Sequence, residues 1–360
     1  MSSQGKIHSF FITALTSQGL RSLAQEALRG IDHLFVLRGR SGRTKTAILR
    51  RISKEMVGKG HDVELLCSSM DSVLLEGLIV PTLRMAIVDG PTCLVDRTRG
   101  QGLEIDLDVY CDRQKLQARR AEVESAEAEV TAHLDQATAH FKRAKQLHDQ
   151  VEAHYVQGLD FTKADAKAET LMAEIFTGVG EGTGKPQVRS FFAVAWFPDT
   201  GSMVDFRLPA TDDCRRRYIL KGKPGTGKSV LARKIANAAN ERGYDTVLYN
   251  CNRDPNSLDG VVIPALSTAI LDGTPAHTLE PQRPGDKIVD MLECANLEHV
   301  DQEAIQTLQS HKQRISTGTQ KHLAAANEAR RRLESLYAEV MDDAAIEQVV
   351  QVLTDRIKML

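Results

Sequence analysis

The sequence predicts an α/β protein of two tandem domains, each with a mostly parallel sheet and a long helical hairpin extension. Three observations carry this reading. The chain repeats itself at a nearly constant shift. Within each copy, short apolar runs alternate with a helix-patterned segment, the signature of a sheet covered by helices. In both copies a glycine-bearing loop joins a strand to a helix.

The repeat is read directly. LRGRSGRTKTAILRRISKEMVGKGHDVELLC, from Leu37, lies over LKGKPGTGKSVLARKIANAANERGYDTVLYN, from Leu220, without a gap at a shift of 183 residues (Gly39 to Gly222). The match continues from residues 75–90 into residues 258–273, and roughly eighteen of about fifty-four aligned positions are identical. Upstream, Ser9-Phe10-Phe11 recurs as Ser190-Phe191-Phe192 at a slightly smaller shift.

In order, each copy opens with the Ser-Phe-Phe strand. A second strand follows (HLFVL from His33, RRYIL from Arg216), then the loop, then a helix. A third strand begins after a turn closed by Asp62 or Asp245, and a further apolar strand ends in Asp89-Gly90 or Asp272-Gly273. Long polar helical segments come next, from Arg113 to about Phe176 and from Gln302 to Leu360. In the first, Leu116, Val123, Val130, Ala137, Ala144 and Val151 recur every seven residues beside Leu134 and Phe141, which predicts a hairpin or short coiled coil. The glycine-rich stretch 177–187 reads as the linker. The expected domains are therefore 1–176, with its extension at about 113–176, and 188–360, with its extension at about 302–360.

The second copy's loop is Gly222-Lys223-Pro224-Gly225-Thr226-Gly227-Lys228-Ser229. This is a complete P-loop pattern in the required context, after a strand and opening a helix. Its glycines let successive N–H groups converge on phosphates. Lys228 is the residue expected to reach the β- and γ-phosphates, and the Ser229 hydroxyl to bind Mg²⁺. The expected ligands are thus ATP or GTP with Mg²⁺. Asp272, at a strand end after the loop, suits a water held on Mg²⁺, although Asp-Gly also simply ends a strand. His277 and Asp254 are candidates to position water or an acceptor hydroxyl, although a lone histidine in a proline-rich loop is more often an ordinary surface residue. Arg253 and Arg283 are candidate transition-state cations. No glutamate follows Asp272, which weighs against a motor and leaves kinase-like or GTPase-like transfer open.

The first copy's loop, Gly39-Arg40-Ser41-Gly42-Arg43-Thr44-Lys45-Thr46, keeps the lysine and the hydroxyl residue but has Thr44 where Gly227 stands. A β-branched residue resists the backbone that glycine supplies, so weak nucleotide binding or none is expected there.

These residues resemble an uncharacterised bacterial family of tandem P-loop ATPase-like proteins. The second half carries the family's pattern in Cys251, Asp254-Pro255, the run Leu258-Asp259-Gly260-Val261-Val262-Ile263-Pro264, Asp272-Gly273-Thr274, His277 and Pro284-Gly285. The first half departs at Thr44 and lacks the histidine. The resemblance spans essentially the whole chain and implies fold and ATP binding, with no substrate.

Composition narrows the classes. The 360 residues are 42% hydrophobic and 26% charged, with a net charge of −2, so no basic field argues for nucleic acid. The runs Arg215-Arg216-Arg217 and Arg330-Arg331-Arg332 lack interleaved aromatics. Six cysteines without a C-x-x-C pair fit reduced thiols, and no membrane-length apolar segment is present, so a cytoplasmic protein is expected. The sequence reading is a P-loop NTPase with one intact site. Its alternatives are a small-molecule or nucleotide kinase, and a non-catalytic nucleotide sensor whose helical hairpins engage a protein partner.

Overall fold

The computed structural model describes residues 4–94, 102–182, 184–274, 278–298 and 300–360. Strands β1 (Ile7–Phe11), β2 (His33–Arg38), β3 (Val63–Cys67), β4 (Leu75–Val80), β5 (Met85–Asp89) and β6 (Leu103–Asp106) come from the first half. Strands β7 (Val188–Phe192), β8 (Arg216–Lys221), β9 (Thr246–Asn250), β10 (Leu258–Ile263), β11 (Thr268–Asp272) and β12 (Asp286–Asp290) come from the second. Together they form one continuous 12-stranded sheet in the order β12-β8-β11-β10-β9-β7-β1-β3-β4-β5-β2-β6. Helices α1 (Gly42–Gly58) and α4 (Lys228–Glu241) follow the two loops. The remaining long helices are α2 (Arg120–Val156), α3 (Phe161–Phe176), α5 (Gln302–Ala338) and α6 (Asp343–Ile357).

The molecule is thus α/β with a large, mostly parallel sheet, and it differs from the sequence reading in three ways. First, the halves share that sheet. Phe11 pairs antiparallel with Phe192, and Phe10 stacks on Phe191 with ring centroids 4.3 Å apart, so equivalent residues meet across a local two-fold axis. This accounts for the recurring Phe-Phe: a strand that pairs with its own copy buries the same side chains twice.

Second, the apolar run ending in Asp-Gly is a hairpin in each half, β4–β5 and β10–β11, and both β4 and β10 run antiparallel to their neighbours. Only the short turns at Pro81–Leu83 and Pro264–Leu266 connect each pair. A parallel crossover needs a dozen or more residues, so the geometry is forced. Within the 12-stranded sheet the remaining pairings inside each half are parallel.

Third, the helical extensions are not hairpins of their own halves. The 37-residue helices α2 and α5 pair with each other in antiparallel fashion, with Val123 beside Leu336 and Tyr337 at one end and Tyr155 beside Ile305 at the other. The heptad stripe foreseen in α2 is real, with Val123, Ala137 and Val151 buried, but α5 covers it. The shorter helices are exchanged. Ile346, Val349, Val350, Leu353 and Ile357 of α6 complete the first half's core, while Ala168, Leu171, Ile175 and Phe176 of α3 complete the second's. Each buried aliphatic or aromatic side chain contributes about 1.5–3 kcal/mol, enough to fix the exchange. By packing, then, residues 161–176 belong with the second core and 343–357 with the first. The reason is physical: an intervening 37-residue helix carries the chain across the molecule before the next helix begins.

Midway along the helix pair, three imidazoles gather. His133 Nδ1 lies 3.1 Å from His322 Nδ1, and His140 packs edge-on against His322. Burial, helped by the charges of His140 and His133, holds His322 below the usual histidine range. The unfolded chain therefore binds more protons, and stability falls as pH drops below about 6.5. The urea midpoint is expected to be lower at pH 5.5 than at pH 7.5, and His322→Leu should flatten that difference.

No helix among the described residues is long and apolar enough to cross a membrane.

Candidate functional site

The loop at residues 222–229 joins β8 to α4. Its backbone requires glycine: Gly222, Gly225 and Gly227 have φ of 150°, 76° and 86°. A Cβ on Gly222 would fall 2.4 Å from Thr226 Oγ1. Thr226 is buried and donates from Oγ1 to the Lys223 carbonyl at 2.8 Å, closing the loop on itself. Helix α4 begins at Lys228 with Gly227 as its cap, so the free N–H groups of its first turn open into the loop.

Lys228 is 7% exposed, and its Nζ donates to the carbonyls of Lys223 at 2.8 Å and Gly222 at 3.3 Å. Burial pulls its ammonium below the usual lysine range, against the charges of Asp272, Glu152 and Asp259. The Ser229 hydroxyl accepts the Leu258 N–H at 2.8 Å. Asp272 closes β11, the strand beside β8, in register with Leu220, and its Oδ1 accepts the Thr274 N–H at 2.9 Å. Loop, lysine, hydroxyl and carboxylate thus share one end of the sheet.

The other sequence candidates are distributed differently. Asp254 pairs with Lys145 of α2 at 3.1 Å. Arg253 is exposed and faces Lys312 of α5. Arg283 bonds the Thr211 carbonyl at 2.9 Å and Asp286 at 3.3 Å, where β8 and β12 start. That is the end of β8 opposite the loop, so Arg283 is a structural clasp and not a transition-state cation. His277 lies outside the described residues.

Asp259 is buried, its carboxyl pushed up to about 7 by burial and by Asp272, with Arg207 opposing. Glu76, its equivalent, is pushed up to about 8 by burial and accepts from Thr13 Oγ1 at 2.8 Å. Since Glu76 does this beside the altered loop, the raised carboxyl is a property of the fold and not of one working site.

At residues 39–46 the loop is rewound. Helix α1 begins at Gly42, a turn earlier than α4, and Ser41 caps it by accepting the Thr44 N–H at 3.2 Å. Thr44 lacks the positive φ of Gly227 and instead continues the helix, so the nest is lost. Lys45 is buried, paired to Asp89 at 2.7 Å and to the Gly39 carbonyl at 2.8 Å.

A carboxylate from the other half occupies the bared helix end. Glu334 of α5 is 6% exposed and accepts from Gly42 N at 2.8 Å, Arg43 N at 3.0 Å and Ser41 Oγ at 3.1 Å. An anion on the first-turn N–H groups complements the helix dipole. A cavity of about 510 Å³ lies beside it, lined by Lys45, Glu76, Asp89 and Arg330 among others. Glu334→Ala strands three donors, and a loss of roughly 1–3 kcal/mol in urea unfolding is expected.

The symmetry has a second term. Helices α2 and α5 are related by a shift of 182 residues (Arg120 to Gln302), which makes Glu152 the equivalent of Glu334. Helix α2 crosses the intact loop: a Cβ on Gly225 would lie 2.7 Å from the Glu152 carbonyl oxygen and 3.0 Å from Val156 Cγ2. The Glu152 carboxylate is 3.5 Å from His148 Nε2, which holds it below the usual carboxylate range, and His148 Nδ1 is 2.9 Å from Lys312 Nζ. Burial and Arg253 push Lys312 down to about 8. Sequence reasoning missed Glu152, His148, Lys312 and Glu334. The faint signal was Val-Glu-Ala-His-Tyr from Val151 over Leu-Glu-Ser-Leu-Tyr from Leu333.

Set against protein-family models, curated proteins and solved structures, the chain matches none.

Proposed function

We propose that the chain binds a Mg²⁺–nucleoside triphosphate, ATP or GTP, at residues 222–229, and that the loop at 39–46 holds the halves together and takes no nucleotide. The observation that carries this is the contrast between the loops. One keeps three glycines at positive φ ahead of a helix that starts on a buried lysine, while in the other the helix starts a turn earlier and its first N–H groups are already taken by Glu334. Such a nest of N–H groups at a helix start is an anion seat.

The donors fit the ligands. Lys228 turns its ammonium from the Gly222 and Lys223 carbonyls to the β- and γ-phosphates, a rotation of a flexible side chain. The Ser229 hydroxyl and the Asp272 carboxylate are hard oxygen donors of the kind Mg²⁺ takes, one directly and one through water. The metal, when bound, neutralises charge on the phosphates. A nucleotide-operated sensor is the second reading, favoured by the helix pair whose Glu152 and Glu334 reach opposite loops. A kinase finds less support, because Asp254 is tied to Lys145 and Asp259 is buried.

Calorimetric titration with MgATP and MgGTP, with phosphate release followed in the same samples, tests the reading. One equivalent bound per chain is the expected result, and no binding of either nucleotide refutes it. Binding with phosphate release marks an NTPase, while binding without it marks the sensor.

A further inference from the structure

We infer that Glu152, carried into the second half's site by the first half's long helix, faces the terminal phosphate and orients the attacking water. The inference rests on the proposed triphosphate site and goes beyond it by naming a water-positioning residue and its origin in the other half.

Three observations meet here. Glu334, the symmetry mate of Glu152, places its carboxylate on the loop N–H groups of the first half, within 2.8–3.1 Å of three donors. The same crossing of helix over loop recurs in the second half, where α2 passes Gly225 at the contact distances given above. There the loop has kept its glycines, so the anion seat is left to a ligand; the Glu152 backbone carbonyl lies against Gly225, and its carboxylate, paired with His148, is within electrostatic reach of the Lys228 ammonium. No glutamate follows Asp272 in sequence, so the group that loop strands commonly supply from the same domain comes instead from across the molecule.

In the step, the water oxygen forms a bond to the γ-phosphorus, and the bond from phosphorus to the β,γ-bridging oxygen breaks. The nucleoside diphosphate leaves with that electron pair. One water proton passes to the Glu152 carboxylate, which the His148 Nε2–H holds in place while His148 Nδ1 accepts from Lys312 Nζ at 2.9 Å, and the other stays on the phosphate formed. The products are nucleoside diphosphate and inorganic phosphate.

Glu152→Gln tests this with two readouts. A positioned base is worth about 10²–10⁴ in rate, so phosphate release should fall at least about 100-fold. A carboxylate facing the γ-phosphate also repels it, so the neutral variant should bind MgATP roughly three- to tenfold tighter while MgADP affinity stays the same. A merely structural residue would not split tri- from diphosphate, and Glu152→Asp should recover part of the rate.

Wild-type turnover retained in Glu152→Gln overturns the inference and leaves the binding site standing. So does a wild type that binds nucleotide and releases no phosphate. An unchanged triphosphate-to-diphosphate ratio overturns it as well. Failure of the wild type to bind any nucleotide removes the site itself, a separate result.

Discussion

Lys228→Ala is expected to weaken MgATP or MgGTP binding at least about 100-fold, roughly 2.7 kcal/mol or more. The ammonium is buried at the foot of the loop, and hydrogen bonds from a charged donor contribute about 1.5–3 kcal/mol each, so losing two to phosphate oxygens exceeds that threshold. Folding should be little affected, because the hydrogen bonds the ammonium makes among the described residues go to two loop carbonyls. Lys45→Ala is the contrasting variant. It leaves Asp89 buried without its cation and lowers the urea midpoint, yet leaves the nucleotide titration unchanged. Equal loss of binding in both variants would place nucleotide at both loops and contradict the assignment.

The largest loss of stability should come from Arg207→Met. Arg207 is fully buried and grips Asp205 with Nε at 3.0 Å and Nη2 at 2.6 Å. Its Nη1 bonds the Asp259 carbonyl at 2.6 Å and the Asp272 carbonyl at 2.9 Å, the latter at the end of β11 beside the loop. Methionine fills similar space but strands one carboxylate and two carbonyls. Removing one member of a buried ion pair costs about 3–5 kcal/mol, and the urea midpoint should fall accordingly. Lysine should not restore it, because an ammonium lacks the planar fork that meets Asp205 and the strand ends together. An unfolding free energy within about 1 kcal/mol of wild type, on the order of an exposed pair's contribution, would mean the clasp is not what holds these strand ends.

What could be read from the sequence was what local spacing controls. A strand, a loop with glycines at fixed positions and a helix are set by a few consecutive residues, so the places of Lys228 and Ser229 at a helix start and of Asp272 at a strand end were legible. Thr44 in place of Gly227 foretold a failed nest, and the structure adds the mechanism: the loop winds into helix instead of staying open. The β4–β5 and β10–β11 hairpins were overlooked, although each turn is too short for a crossover. The partners of the long helices could not be read, because a heptad stripe states that a helix needs an apolar partner and not which one. Since α2 and α5 bear similar stripes, pairing across the molecule and within a half look alike in one dimension. Glu152 and Glu334 were missed for that reason.

The exchanged helices also impose an order on biosynthesis. The first half's sheet leaves the ribosome with one face incompletely covered, because α6, which completes the cover begun by α1, arrives far later. Arg51 and its partner Glu347 are separated by 296 residues. At about 5–20 residues per second, that interval is roughly 15–60 s during which Ile48, Ile52 and Val80 lack part of their final cover. A nascent chain in this state is a natural client for holding chaperones, and a ribosome stalled anywhere before α6 carries an N-terminal half that is unfinished however complete its own strands are.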